Sequence, residues 1–202
     1  MIFYLVRHGE IDSNIKKVYA GWSEEGLTEK GVRQAEEAGK VLTGKGIGAL
    51  YCSPLRRAVR TAEIIGGIIG KEPISDDSFK EIKLGPWEGL SEDEIGRKFP
   101  EEWRVWNARP GELKLKGRET LGELQERVLE GIRNLSPEKG CLTQRRKGAK
   151  GLKNGEKEPR VVAVTHVAII RVLMLYSEGR DLNEYKQVPV PGNGEVFTIQ
   201  RR

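Results

Sequence analysis

Three short runs, residues 2–6 (IFYLV), 49–52 (ALYC) and 161–165 (VVAVT), lack the alternation of polar and apolar residues shown by a strand with one wet face. Strands of this kind are buried on both sides, which happens where helices cover a parallel sheet from above and below. The segments between them supply such helices. Residues 29–42 place Val32, Ala35, Gly39 and Leu42 on one helical face behind Thr28 as N-cap. Residues 54–69 bury Leu55, Ala58, Val59, Ala62, Ile65 and Ile69, with Ser53 expected as N-cap and Pro54 at the first helical position. Ser91 with Glu94, and Thr120 with Glu123, have capping-box spacing and predict helices starting at Glu92 and Leu121. A further helix is expected over 168–176 and a last strand, at a sheet edge, over 195–200. Together these predict an α/β fold of three layers, α/β/α, with a largely parallel sheet and helices on both faces.

The chain carries 35 Lys and Arg against 30 Asp and Glu over 202 residues, a net charge of +5. Such an excess points to an acidic partner only if it covers one face. It is instead concentrated in residues 139–160, which hold eight bases and two acids, and the rest of the chain is close to neutral. That segment has four glycines, no hydrophobic period and no aromatic residue among its bases. It is expected to be a flexible basic insertion at about 139–160 in a single domain spanning 1–202, with no nucleic acid as partner. Cys52 and Cys141 have neither CxxC nor zinc-type spacing, residues 1–6 lead into Arg7 without a basic leader, and the apolar stretch 161–176 is broken by His166 and Arg171. These features fit a cytoplasmic protein without a membrane partner.

Only two histidines occur, His8 and His166, and each lies at the end of one of the buried runs. In an open α/β sheet the ligand crevice lies beyond the carboxyl ends of the strands, so both imidazoles are expected at one site. Arg7 stands beside His8. Arg57 falls near the start of the helix after the 49–52 run, where free N–H groups attract anions. Two arginines, two histidines and a helix start suit a compact, highly charged anion, most economically a phosphoryl group.

Six blocks follow one another along the chain: Leu5-Val6-Arg7-His8-Gly9-Glu10 with Asn14; Gly21-Trp22; Leu27-Thr28-Glu29-Lys30-Gly31 with Gln34-Ala35; Ser53-Pro54-Leu55-Arg56-Arg57-Ala58 with Thr61-Ala62-Glu63; Lys80-Glu81-Ile82 with Gly85-Pro86-Trp87-Glu88-Gly89-Leu90; and Val164-Thr165-His166. In this order they resemble the histidine phosphatase superfamily, the phosphoglycerate-mutase-like proteins. The resemblance implies a phosphomonoester hydrolase in which His8 attacks phosphorus and becomes a phosphohistidine. It further implies that Arg7, Arg57 and His166 stabilise the phosphoryl oxygens and that Glu81 protonates the leaving group and then activates water. Gly9, Asn14, Ala20, Gly21 and the backbone N–H of Val167, where the family usually has glycine, would contact substrate. Neither metal nor cofactor is implied, the partner is a small-molecule phosphomonoester, and a homo-oligomer is compatible with the pattern.

Mutases of the family hold a second phosphate on a lysine after the Glu block and on an arginine pair further on. Those places here have Glu92 and Asn107-Ala108, so hydrolysis is expected over phosphoryl relocation, with phosphoglycerate mutase as the alternative. Residues 87–95 with Phe99-Pro100-Glu101 and Trp103 are similar to compact phosphatases of the family, among them those acting on α-ribazole 5′-phosphate. All four tryptophans, Trp22, Trp87, Trp103 and Trp106, are expected on the catalytic side, as a substrate wall or as the packing of a cap. A reading of another class, an inactive phosphatase fold that binds RNA through the basic insertion, fits poorly with retention of Arg7, His8, Arg57, Glu81 and His166.

Overall fold

The computed structural model describes residues 1–135 and 158–200; the insertion expected over 139–160 lies, up to residue 157, outside them. Five strands form one sheet: β1 (Ile2–Arg7), β2 (Ala49–Cys52), β3 (Pro73–Ser75), β4 (Arg160–Thr165) and β5 (Val196–Gln200). Their order is β3-β2-β4-β1-β5. Only β5 runs antiparallel to its neighbour, and it forms the edge beside β1. The largely parallel sheet and the edge position of the last strand are as expected. Three-residue β3 is too short to show a period and has no signature in the sequence.

Among the described residues seven α-helices accompany the sheet: α1 (Asp12–Lys16), α2 (Glu29–Leu42), α3 (Arg56–Ile69), α4 (Glu92–Lys98), α5 (Pro100–Ala108), α6 (Leu121–Arg133) and α7 (Val167–Glu178). Successive strand residues point to opposite faces. On one face Phe3, Leu5, Tyr51, Val161 and Ala163 meet Leu124 and Val128 of α6 and Ile169 and Val172 of α7. On the other, Tyr4, Val6, Leu50, Cys52, Val162 and Val164 meet Ala38 and Leu42 of α2 and Ala58, Ala62 and Ile65 of α3. Both faces are dry, which is why the runs are apolar at every position. Each fully buried Val, Leu or Ile side chain contributes about 1.5–3 kcal/mol.

The caps at Thr28, Ser91 and Thr120 form as their sequences dictate, each hydroxyl accepting from the backbone N–H three residues on. The cap expected at Ser53 does not. α3 starts at Arg56 with Leu55 as N-cap, two residues later than Pro54 suggested. Ser53 Oγ instead accepts from Leu55 N at 3.2 Å and lies 2.8 Å from His166 Nε2, so its hydroxyl serves the turn and the histidine. β1 and β4 run parallel with Arg7 opposite Thr165, so their carboxyl ends deliver His8 and His166 to the same edge of the sheet. None of the described helices is long and apolar enough to cross a membrane.

Candidate active site

His8 and His166 sit side by side at that edge, with ring centroids 5.1 Å apart. His8 Nδ1 lies 2.8 Å from the Gly9 carbonyl, and Arg57 Nε donates to His8 Nε2 at 3.3 Å. A carbonyl only accepts, so Nδ1 carries the ring proton and Nε2 keeps its lone pair. Burial, with Arg57 and Arg7 nearby, holds the His8 imidazole well below its ordinary pKa, and this neutral form is the one that can attack an electrophile. His166 is also held well below its ordinary value, by burial first and then by Arg57, His8 and Arg7. The Ser53 hydroxyl accepts from Leu55 N and shares a hydrogen bond with His166 Nε2 at 2.8 Å, which fixes the imidazole in place. Its Nδ1 is buried without a partner.

Arg57 is locked by the chain before α2: Nη2 donates to the Gly21 carbonyl at 2.6 Å and Nη1 to the Ser23 carbonyl at 2.8 Å. Arg7 Nη1 donates to the Pro191 carbonyl at 2.6 Å, and its Nε is buried and unpartnered. Both guanidinium pKa values are lowered, chiefly by burial. They wall a cavity of about 550 Å³, within the usual range for small-molecule sites, together with His8, Asn14, Ala20, Gly21, Glu81 and Val167. Glu81 accepts from Ile82 N at 2.9 Å, and burial raises its pKa against the pull of Arg57 and Arg7. A carboxyl group that holds a proton beside an anion clamp can deliver it to a departing oxygen. Asn14 Oδ1 accepts from Ile11 N and from Asn193 Nδ2, which leaves its amide N–H groups for the cavity.

Of the residues singled out in the sequence, Arg7, His8, Arg57 and Glu81, with Asn14, Ala20, Gly21 and Val167, line this one cavity. His166 is beside His8 but behind the wall. Gly9 is not on the wall either, because its role is packing: a Cβ there would lie 2.2 Å from the Gly31 carbonyl oxygen. Gly21 is required for a different reason, a φ of +52° and a Cβ that would meet Glu88 Oε2 at 2.4 Å. The tryptophans divide. Trp106 lines the cavity, Trp87 is fully buried with Trp103 and Trp106 edge-on against it, and Trp22 donates Nε1 to the Glu81 carbonyl at 2.8 Å.

Sequence reasoning placed Thr61 in a block without giving it a role, and missed Ser53 as a histidine partner and the 191–195 segment. Thr61 Oγ1 accepts from Gly9 N and donates to the Arg57 carbonyl, tying the two sides of the site together. Asn193 Nδ2 donates to the His8 carbonyl, and Gly194 N to the Arg7 carbonyl. The signal available was the turn-forming Pro191-Gly192-Asn193-Gly194 just before an edge strand. Arg118 and Arg171, also missed, line the cavity, so it is not short of positive charge despite Glu92 and Asn107-Ala108. This corrects the charge argument against a second anion.

The family described as Histidine phosphatase superfamily (branch 1) matches residues 3–202. Phosphoserine phosphatase 1 of Hydrogenobacter thermophilus is 30% identical over 181 residues, 90% of this chain and 78% of that protein. The 2,3-bisphosphoglycerate-dependent phosphoglycerate mutase of Azorhizobium caulinodans is 35% identical over 134 residues, 63% of this chain and 65% of that protein. Among solved structures, Bacillus stearothermophilus YhfR superposes with a TM-score of 0.81 at 30% identity, over 98% of this chain and 90% of that one. The α-ribazole phosphatase from Shigella flexneri gives 0.77 at 20% identity, over 100% and 95% of the two chains, a likeness of fold.

Proposed function

The chain belongs to the histidine phosphatase superfamily, and from that premise we propose that it hydrolyses phosphomonoesters of small metabolites in the cytoplasm through a phosphohistidine on His8. The observation that carries this is the tautomer: Nδ1–H is given to the Gly9 carbonyl, so the lone pair is on Nε2, beside Arg57 in the cavity wall. In the first step His8 Nε2 bonds to phosphorus as the ester P–O bond breaks, and the Glu81 proton passes to the leaving oxygen. In the second, water attacks phosphorus, Glu81 takes its proton, and the N–P bond breaks to release phosphate. Arg7 and Arg57 stabilise the charge that spreads over the phosphoryl oxygens, with His166 beside His8 as a third contributor, and loss of one such donor costs about 10²–10³ in rate. Asn14 and the backbone at Ala20, Gly21 and Val167 orient the group. The steps balance without a metal ion, so activity is expected to persist in excess EDTA.

Hydrolysis is favoured over mutase activity because the phosphatase relative aligns along 90% of the chain and the mutase along 63%. α-Ribazole 5′-phosphate belongs in the substrate panel on the strength of a fold neighbour. The test is turnover of p-nitrophenyl phosphate and trapping of an acid-labile phosphoryl label. Native protein is expected to give both and His8→Ala neither; turnover of His8→Ala near the native level sinks the mechanism. Conversion of 3-phosphoglycerate to 2-phosphoglycerate faster than phosphate release, with 2,3-bisphosphoglycerate as primer, would make it a mutase.

A further inference from the structure

Trp22 is 37% exposed and does not line the catalytic cavity, yet its ring is held in place: Lys80 Nζ lies 5.0 Å and Lys83 Nζ 5.9 Å from its centroid. In the chain these two lysines bracket Glu81 and Ile82. The indole Nε1 donates to the Glu81 carbonyl at 2.8 Å. That carbonyl and the Ile82 N–H belong to one peptide unit, and the N–H donates to the Glu81 carboxyl oxygen Oε1 at 2.9 Å. A single rigid plane is therefore gripped by Trp22 on one edge and holds the general acid on the other. An amide whose carbonyl accepts a hydrogen bond is polarised into a better donor, so the two bonds reinforce each other.

The backbone around Trp22 is fixed in turn. The Gly21 and Ser23 carbonyls accept from Arg57 at 2.6 and 2.8 Å, and Trp22 N donates to Glu88 Oε2 at 3.2 Å. One three-residue stretch thus joins the guanidinium of the phosphoryl clamp to the peptide that carries the acid. Arg7, Arg57, Arg118, Tyr185 and the backbone N–H of Ala168 also act on Glu81, but they bear on its carboxyl group. Trp22 bears on the backbone from which that carboxyl is aimed. We propose that Trp22 is a positioning residue for the general acid: its indole N–H sets the 81–82 peptide plane and so directs the Glu81 carboxyl at the departing oxygen, at a fixed spacing from Arg57. The proposal rests on the phosphatase reading above and deepens it.

The test compares an alkyl ester, O-phosphoserine, whose leaving oxygen needs a proton, with p-nitrophenyl phosphate, whose leaving group departs without one. Trp22→Phe is expected to lower kcat/KM for phosphoserine by about three- to tenfold more than for the aryl ester, the range of one lost hydrogen bond. Placing 3-benzothienylalanine at position 22, which keeps the ring and replaces only the N–H by sulfur, is expected to do the same. In a Glu81→Gln background the selective loss is expected to vanish, because the residue through which Trp22 acts is gone. Equal losses on both esters, or a selective loss that persists without Glu81, would assign Trp22 to packing and overturn the proposal. NMR titration of the Glu81 carboxyl carbon reads the same contact without turnover. The carboxyl is expected to titrate at higher pH in Trp22→Phe than in native protein, since a weakened Ile82 N–H stabilises the carboxylate less; an unmoved titration also overturns the proposal. A moved titration with no turnover of any phosphomonoester by native protein removes the phosphatase and keeps the contact. Native turnover with an unmoved titration does the reverse.

Discussion

At the scale of single residues, the site works by opposing two pKa values. His8 is held well below the ordinary imidazole range by burial and the arginines, and Glu81 is raised above the ordinary carboxylate range by burial. His8 must be neutral and Glu81 protonated for the first step, so activity rises as pH climbs through the His8 pKa and falls as it passes that of Glu81. The expected kcat/KM profile is a bell with its acid limb well under pH 6.5 and its alkaline limb above the ordinary carboxylate range. Glu81→Gln, assayed on an ester with a good leaving group, is expected to lose the alkaline limb; a limb that stays in place assigns it to another residue. A second expectation concerns Gly9, whose Cβ has no room against the Gly31 backbone. Gly9→Ala is expected to destabilise by about 1–3 kcal/mol, as overpacking does, and to lower Tm by several degrees in a thermal melt.

At the scale of elements, the local signals that are legible are those whose physics is local. Thr120 caps α6 through its hydroxyl while Glu123 reaches back to Thr120 N, and both ends of that box are written four residues apart. Thr120→Ala is expected to cost about 1 kcal/mol in urea unfolding with kcat/KM unchanged. The buried strands, α2 and the starts of α4 and α6 were readable for the same reason. Ser53 was misread because a serine before a proline has two uses, cap or turn, and the choice is made by His166, which is 113 residues away in sequence. Arg118 left no signal at all: a lone arginine after Lys116-Gly117 reads as solvated, and only the fold brings Trp87 and Trp106 against it. The core of the site was legible through a resemblance spanning distant blocks; its supporting residues were not, since each depends on contacts across the sheet.

At the scale of the whole molecule, the buried histidines tie stability to pH. In the fold both remain neutral well below 6.5, whereas the unfolded chain takes up protons there, so stability is lost as pH falls through the unfolded value near 6.5. Glu81, with its raised pKa, works in the opposite sense, one group against two. A lower urea midpoint at pH 5.5 than at 7.5 is expected; equal midpoints would mean the imidazoles titrate normally. The connection into β4 enters at the far end of the sheet from the site, since Ile2 N donates to the Pro159 carbonyl and the Met1 ammonium meets Glu158 Oε1 at 2.5 Å. Six strand residues span about 20 Å. Replacing residues 141–158 by a short Gly/Ser linker is therefore expected to leave kcat/KM within about threefold, under 1 kcal/mol; a collapse would show that the segment reaches the catalytic edge. The strand order has one more consequence. β1 pairs with β4 and β5 alone. On the ribosome β1 thus waits unpaired until residues 160–200 emerge, and an elongating chain carries IFYLV as an open edge that a chaperone, or another nascent chain, can occupy first.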